Sequence, residues 1–396
     1  MSLNKTKLVS LLPAFFPSLM EELQSFGFTP TLVGGAVRDF FKHGKLAHDW
    51  DFELTHQSMA FDKDIWKQLG KSLSRHGKVN FLPYEIIRLE LQHYQLEFSP
   101  PRKETFEPHL SSAGHKNFSA EFDFKMPFSE AVLRRDFTIN TMGIRFHTKE
   151  IEFLDPLDGV RHLREGILHP AGPDFPKDPV RFLRALRFAS KYKMELSPEL
   201  KVHLQSMEAI DFSAAYLWTE MVKSGDPLSF YYLMVKWSAY HPEMKLPLGK
   251  EIIPKFEELK KMLVTPSLHE SWIVALEWVG LSSENWQKYF SQSSESGRRL
   301  GRWAQQSKSF QKILPETFHG EFEVAKEHPE FAMLFDWYFT TKQLLQKNPE
   351  LPLMKMIEDY LPDWIHLYRF EPVKDVKHID PPLRAKYQVW NLCQRL

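Results

Sequence analysis

Apolar and polar positions alternate in short bursts over the first 160 residues, and beyond about residue 179 they recur at helical spacing. Residues 31–33 read as a short strand running into a Gly-Gly turn, 36–41 as a helix and 50–54 as a second strand. Segments 86–91 and 94–98 carry Ile, Leu, Tyr and Phe in period-2 alternation and predict a hairpin. Strand-like pattern returns at 143–146 and 150–154. Between these lies 99–128, with Pro-Pro, Ser-Ser, Gly, His and Asn but no periodicity; it reads as a mobile loop inside a domain, of a length that is usually functional or disordered. An apolar run at 8–20 follows Lys5 and Lys7 and superficially resembles a secretory leader. Pro13 and Pro17 interrupt it, Glu21 and Glu22 follow, and no A-x-A cleavage pattern is present. A short amphipathic helix capping the first domain is the better reading, with a cytoplasmic location.

The pattern predicts an α+β head over 1–160, a helical neck over 161–228 and a helical body and tail over 229–396. Breaks near 225–227, 247–254 and 348–352 mark candidate boundaries, and no repeat of 20–50 residues is visible. Seven of the eleven tryptophans lie beyond residue 270, which suits helix packing better than nucleobase stacking. Composition narrows the choice. A 396-residue chain that is 43% hydrophobic and 26% charged is not a disordered one. No apolar run reaches the roughly 18 residues of a membrane span, so no membrane partner is expected. Cys393 stands alone, which excludes an internal disulfide and a Cys-based zinc site. Lys+Arg and Asp+Glu balance at 51 each, and such neutrality argues weakly against nucleic acid. Placement matters more than the sum: 161–193 holds eight Lys/Arg against three Asp/Glu, a local surplus suited to an anionic substrate.

Two constellations carry chemistry. The first is LVGGAVRDFF (32–41) with HDWDFEL (48–54). Gly34 and Gly35, between strand and helix, let backbone N–H groups approach a phosphate, and Arg38 can add a charge-assisted contact. Asp49 and Asp51, two apart on a strand, share a face. Paired carboxylates repel unless a cation lies between them, and oxygen-only ligands suit Mg²⁺. Glu97 in the hairpin is the candidate third carboxylate of a two-metal site. The bland alternatives are a simple loop and a solvated strand end. A metal-dependent phosphohydrolase built on His48-Asp49 would need further histidines on helices, and no convincing set is present. The second constellation is LRRDFTIN (133–140), in which Arg134, Arg135, Asp136, Thr138 and Asn140 concentrate donors able to grip a ribose and triphosphate. Its bland reading is a helix start capped by Asp136.

GGAVRD, the D-x-D pair, RRDFTIN, FLDPLDGVRHL (153–163) and DPVRFLRALRFA (178–189), in this order over residues 30–222, resemble the class II tRNA nucleotidyltransferase family. That family contains CCA-adding enzymes and bacterial poly(A) polymerases built on a polymerase-β-like head with a small sheet, followed by an all-α neck, body and tail. The resemblance implies that Gly35 and Arg38 contact the incoming phosphates, Asp49 and Asp51 hold Mg²⁺, and Arg134 and Arg135 recognise ribose and triphosphate. Asp136 and Asn140 would shape that site. Asp155, Asp158 and Gly159 would form a hinge. Asp178 and Arg181 would read the Watson–Crick edge of CTP or ATP, with Arg184 and Arg187 lining the same pocket. The implied reaction adds C and A residues to the 3′ end of tRNA, and no obligate protein partner is evident. From the residues alone, Asp178 before Pro179 is also a good helix cap, and Arg181, Arg184 and Arg187 share a helix side.

Two departures stand out. Lys177 replaces the glutamate usual before Asp178, and Ala215-Tyr216 replaces a downstream Glu-Arg. Both predict altered nucleotide choice or efficiency. A poly(A) polymerase, or an enzyme adding only CC or only A, shares these motifs. A nucleotidyltransferase acting on small molecules or proteins would keep the D-x-D pair without needing the arginine helix. An RNA-binding module would be expected had the metal site decayed, and the retained Gly35, Arg38, Asp49 and Asp51 argue against it.

Overall fold

Pro13 cannot continue a helix, so the N-terminal apolar run folds as two helices instead of the single one expected. These are α1 (Lys5–Leu11), capped by the Asn4 side chain, and α2 (Phe16–Ser25), with Pro17 in its first turn. The computed structural model describes residues 3–106, 118–207, 214–241, 244, 246 and 249–257. The chain divides between Asp211 and Phe212 into two compact units.

The first unit continues through β1 (Thr29–Val33), α3 (Gly35–His43), β2 (Asp49–Thr55), α4 (Lys63–Leu73), β3 (Lys78–Leu82), β4 (Ile86–Leu91) and β5 (Tyr94–Ser99). Next come β6 (Arg102–Phe106), β7 (Phe118–Phe122), α5 (Phe128–Ala131), β8 (Gly143–Phe146), β9 (Ile151–Leu154) and α6 (Gly159–Glu165). Then follow β10 (Ile167–Leu168), α7 (Val180–Tyr192), β11 (Glu195–Leu196) and α8 (Pro198–Ser206). Seven strands form one sheet in the order β3-β4-β5-β2-β1-β8-β9. The β4–β5 hairpin forms as predicted; β3 and α4 lie outside the predicted elements.

The sheet has two unlike faces, and the alternation along β2 decides which is which. Trp50, Phe52 and Leu54 are buried, as are Leu32, Leu96, Phe98 and Ile144 on the same side of neighbouring strands. Helix α2 packs there through Phe16, whose ring lies 5.8 Å from Trp50 and 4.9 Å from Phe146. Each such large apolar side chain contributes about 1.5–3 kcal/mol. The opposite face carries Asp49, Asp51 and Glu53, with Thr31 facing Glu53 across the register, Arg145 beyond Thr31 on β8, and Glu97 beside Asp51 on the parallel strand β5. Over this polar face lies one apolar patch, in which Phe128 and Val132 meet Val33, with Leu154 and Leu157 at its edge. That patch seats α5 and the short turn after it above the ends of β1 and β2.

Part of the predicted loop 99–128 is a hairpin: β6 and β7 pair antiparallel, and 107–117 fall outside the described residues. Its strands, RKETF and FSAEF, carry phenylalanine only at 106, 118 and 122, so periodic hydrophobicity does not reveal it. Arg102 lies over the Tyr84 ring, and Tyr84 stacks on Phe118, which fixes the hairpin to the β3–β4 turn. The neck is not purely helical either. The parallel pair β10–β11 brackets α7, and the first unit runs on through α8. In the second unit α9 (Ala214–Lys223) and α10 (Pro227–Trp237) are described, with Asp226 capping α10. Beyond residue 257 the expected body and tail, with its seven tryptophans, lies outside the described residues.

Candidate active site

Gly34 ends β1 with φ 73°, and Gly35 opens α3. A Cβ on Gly34 would lie 3.2 Å from Asp51 Oδ2 and 3.4 Å from Arg135 Nη1, so the glycine admits both charged groups to the head of the helix. Asp49 and Asp51 stand on the polar face of β2, paired in register with Gln95 and Glu97. Burial raises the Asp51 pKa, against the opposing pull of Arg135; Glu97 then adds to the rise, Arg134 opposes it, and Asp49 adds again. Glu97 and Asp49 supply the smaller, repulsive part of that rise, the part a divalent cation would offset.

The donor set fits Mg²⁺ held by two carboxylates and completed by substrate phosphates and water, the usual habit of that ion. Among the described residues no set of three or more His, Cys, Asp or Glu is arranged to hold a metal. Glu97 lies beside Asp51, but its Oε1 accepts from Arg88 Nε at 2.9 Å and Nη2 at 2.7 Å.

Arg134 and Arg135 arrive on the turn after α5. Arg134 is buried among charges: Glu104 lies 3.7 Å from Nη1 and Glu53 lies 4.0 Å from Nη2. Burial pushes its pKa down to about 9, with Arg102 and Arg135 adding repulsion and Glu53 and Glu104 opposing. The Nε atoms of Arg134 and Arg135 have no hydrogen-bond partner. Buried guanidinium donors left unmet above a carboxylate pair form a ready anion site.

Asp136 is the centre of a network. It accepts from the Phe137 N–H at 2.8 Å, from Asn140 Nδ2 at 2.8 Å and from Arg184 Nε at 2.9 Å, with Arg184 Nη2 closer still. Burial alone would raise its pKa, but the Arg184 charge and these hydrogen bonds hold it well below the usual carboxylate range. Asn140 accepts in turn from Arg38 Nη1 at 2.8 Å.

Arg38 is turned into the seam between α3 and α7. It pairs with Asp39 at 2.8 Å and lies over the rings of Phe188 and Tyr192, 5.2 and 5.0 Å from their centroids. Arg181 is 4% exposed and donates to the Arg134 carbonyl at 2.7 Å and the Asp174 carbonyl at 3.2 Å. Asp178 accepts from the Val180 N–H at 3.0 Å, the cap that the sequence suggests. Arg187 lies over Phe188 at 4.5 Å, and Lys177 pairs with Asp174 at 2.7 Å. Asp155 accepts from the Gly159 and Val160 N–H groups and so fixes the start of α6.

The structure thus gathers Gly34, Asp49, Asp51, Glu97, Arg134 and Arg135 at the ends of β1 and β2. Asp136, Asn140, Arg38, Arg181 and Arg184 form the joint between α7 and that site. Sequence reasoning missed Glu53, Arg102 and Glu104, although D-x-D-x-E continues the same strand period. A separate cavity of about 700 Å³ at the far end of the polar face is lined by Thr29, Thr55, His56, Phe128 and Arg145, and by no residue of the predicted site.

Residues 31–169 match the family model of the poly A polymerase head domain, the span that carries β1, β2 and the Arg134–Asn140 segment. That part of the chain is therefore similar to a poly A polymerase head domain. The chain is 29% identical over 196 residues to the multifunctional CCA protein of Neisseria gonorrhoeae, a match of 48% of this chain and 43% of that protein. It is 25% identical over 373 residues to the A-adding tRNA nucleotidyltransferase of Aquifex aeolicus, covering 87% of this chain and 41% of that one. The chain therefore spans less than half the length of these curated relatives. Among solved structures, a CCA-adding enzyme in its apo form superposes with TM-score 0.58 at 16% identity, over 98% of this chain and 92% of the other. A tRNA nucleotidyltransferase complexed with a primer tRNA and an incoming ATP analogue gives 0.53 at 21%, over 88% and 99%. These likenesses show the fold: a mixed α+β head followed, in the described part of the second unit, by helices.

Proposed function

We propose that the chain is a template-independent nucleotidyltransferase that adds C and A residues to the 3′ end of tRNA from CTP and ATP, in the cytoplasm. One observation carries this reading. Asp49 and Asp51 share the open face of β2, and Arg134 and Arg135 are held over the same strand. The cradle thus combines two carboxylates with buried, unmet guanidinium donors.

In the reaction a bond forms between the primer 3′-oxygen and the α-phosphorus, and the bond to the β-phosphate bridging oxygen breaks, releasing pyrophosphate. Asp49 and Asp51 would hold Mg²⁺, which when bound supplies charge stabilisation to the attacking and leaving oxygens. Arg134 and Arg135 bind the triphosphate and take up the charge that develops on it. Gly34 and Gly35 let the phosphates approach the first turn of α3. Asp136 and Asn140 hold the ribose side of the site and tie it to α7. Asp178 and Arg181 would lie closest to the base.

Labelled CTP and ATP offered with Mg²⁺ to tRNA transcripts lacking one, two or three 3′ nucleotides test the assignment. The expected product is restoration of the full end, and Asp49→Ala or Asp51→Ala should remove incorporation while thermal unfolding stays cooperative. Turnover that persists in the double variant would contradict the role given to these carboxylates.

A second reading has specific support. A relative matched over 87% of this chain is an A-adding enzyme, and the departures at Lys177 and at 215–216 fall in segments that the resemblance assigns to base selection. Incorporation of one A only, and only on a transcript already ending in CC, would favour it. A ladder of many A residues would instead favour a poly(A) polymerase.

A further inference from the structure

Glu53 is the residue on the polar face that the reaction as described leaves without a task. It follows Asp49 and Asp51 at the same strand period and is 1% exposed. Neither carboxylate oxygen has a hydrogen-bond partner. A buried carboxylate so placed is costly, and its charged neighbour is Arg134, whose Nη2 lies 4.0 Å away. That distance makes an ion pair without a hydrogen bond. Glu104 stands to the other terminal nitrogen of Arg134 in the same relation, at 3.7 Å. Glu104 is itself held by Arg102 at 2.8 Å. The guanidinium is therefore drawn from two sides by fixed carboxylates, yet none of its donors is consumed. A closer contact would neutralise Arg134 as an anion receptor. Without any contact on the β2 side, the guanidinium could swing toward Asp51, two residues along the same face, and occupy the carboxylate that the cation needs.

We propose that Glu53 is a positioning residue that aims Arg134 at the incoming triphosphate and keeps it off the Asp49–Asp51 pair. This rests on the nucleotidyltransferase reading and deepens it, since it says how the triphosphate receptor is kept open. Glu53 touches no reacting atom and acts through Arg134.

Glu53→Met separates this role from a structural one. Removing one partner of an ion pair costs stability, but Arg134 keeps Glu104 3.7 Å away, so the melting temperature should fall only modestly and binding is measured well below it. Dissociation constants for CTP and ATP, measured calorimetrically without Mg²⁺, should nonetheless rise about tenfold, the scale of one charge-assisted contact. KM should rise with them while kcat changes less. In an Arg134→Ala background, Glu53→Met should add nothing further, because the residue it aims is gone. Glu53→Gln, closest in shape, should reproduce the binding loss and covers the case in which the methionine variant does not fold. Unchanged nucleotide affinity in these variants, or losses that simply add in the double variant, would overturn the proposal. Failure of the unaltered chain to bind either nucleotide would overturn both this inference and the reading beneath it.

Discussion

Asp136 does two jobs with one carboxylate. Its Oδ1 organises the turn that carries Asn140, and its Oδ2 anchors Arg184 of α7. Asp136→Asn keeps the shape but removes the charge that Arg184 pairs with, in a site where Asp136 is 8% exposed. Breaking such a pair costs about 3 kcal/mol, so the variant should unfold at a clearly lower temperature or denaturant midpoint. The pH dependence follows from the direction of the shift. A carboxyl whose folded pKa is depressed stabilises fully above its unfolded value, near 4, and loses that contribution as pH falls toward the folded one. The unaltered protein should therefore lose stability progressively below about pH 4, and Asp136→Asn should show a shallower decline over the same window. Equal acid slopes for the two proteins would mean that Asp136 titrates normally in the fold.

At the scale of elements, the joint between α7 and the head depends on close backbone approach at α6. A Cβ on Gly159, the first residue of that helix, would lie 2.4 Å from the Thr138 carbonyl oxygen. Alanine near a helix start usually stabilises slightly through propensity. Gly159→Ala should instead destabilise by about 1–3 kcal/mol, since a backbone carbonyl cannot move aside as a flexible side chain can. Chemical denaturation measures the sign directly. The same elements explain what the chain discloses about itself. Strands β4 and β5 and the first half of β2 are legible because buried and more exposed positions alternate along them, whereas β1 is buried on both faces and is read from the apolar run that leads into the Gly-Gly turn. Strand β3 (KVNFL) is an edge whose burial pattern does not alternate, and β6 (RKETF) carries phenylalanine only at 106, so neither carries that signal. The D-x-D pair and the Arg134–Asn140 run are legible as chemistry. The part played by Glu53 is not, because a third acidic residue at strand spacing reads as solvated until burial and Arg134 are seen. Arg181 and Arg38 read as outward-reaching cations; in the fold both turn inward, onto carbonyls and rings that belong to distant parts of the chain.

For the whole molecule, the neutral balance of 51 against 51 and the basic strip at 161–193 meet in one measurable quantity. If all eight Lys and Arg of that strip met phosphate, the logarithm of tRNA affinity would fall with the logarithm of salt at a slope of about 7. At least four of the eight are already engaged inside the protein. Arg161 pairs with Asp158 and Glu165, Lys177 with Asp174, Arg184 with Asp136, and Arg181 donates to two carbonyls. The nearby cations Arg88, Arg102 and Arg145 are paired with Glu97, Glu104 and Glu152. The first unit therefore offers RNA a surface much less basic than its arginine content suggests. Binding of the proposed tRNA substrate by the full chain, titrated between low and moderate KCl, should show a slope below about 4, with the remaining affinity carried by shape, 2′-hydroxyls and the acceptor end. A slope near 7 would mean that cations outside this strip meet the phosphates. In that case recognition would rest on charge in the second unit and not on the fit of the primer end to the joint that Asp136 and Arg184 hold together.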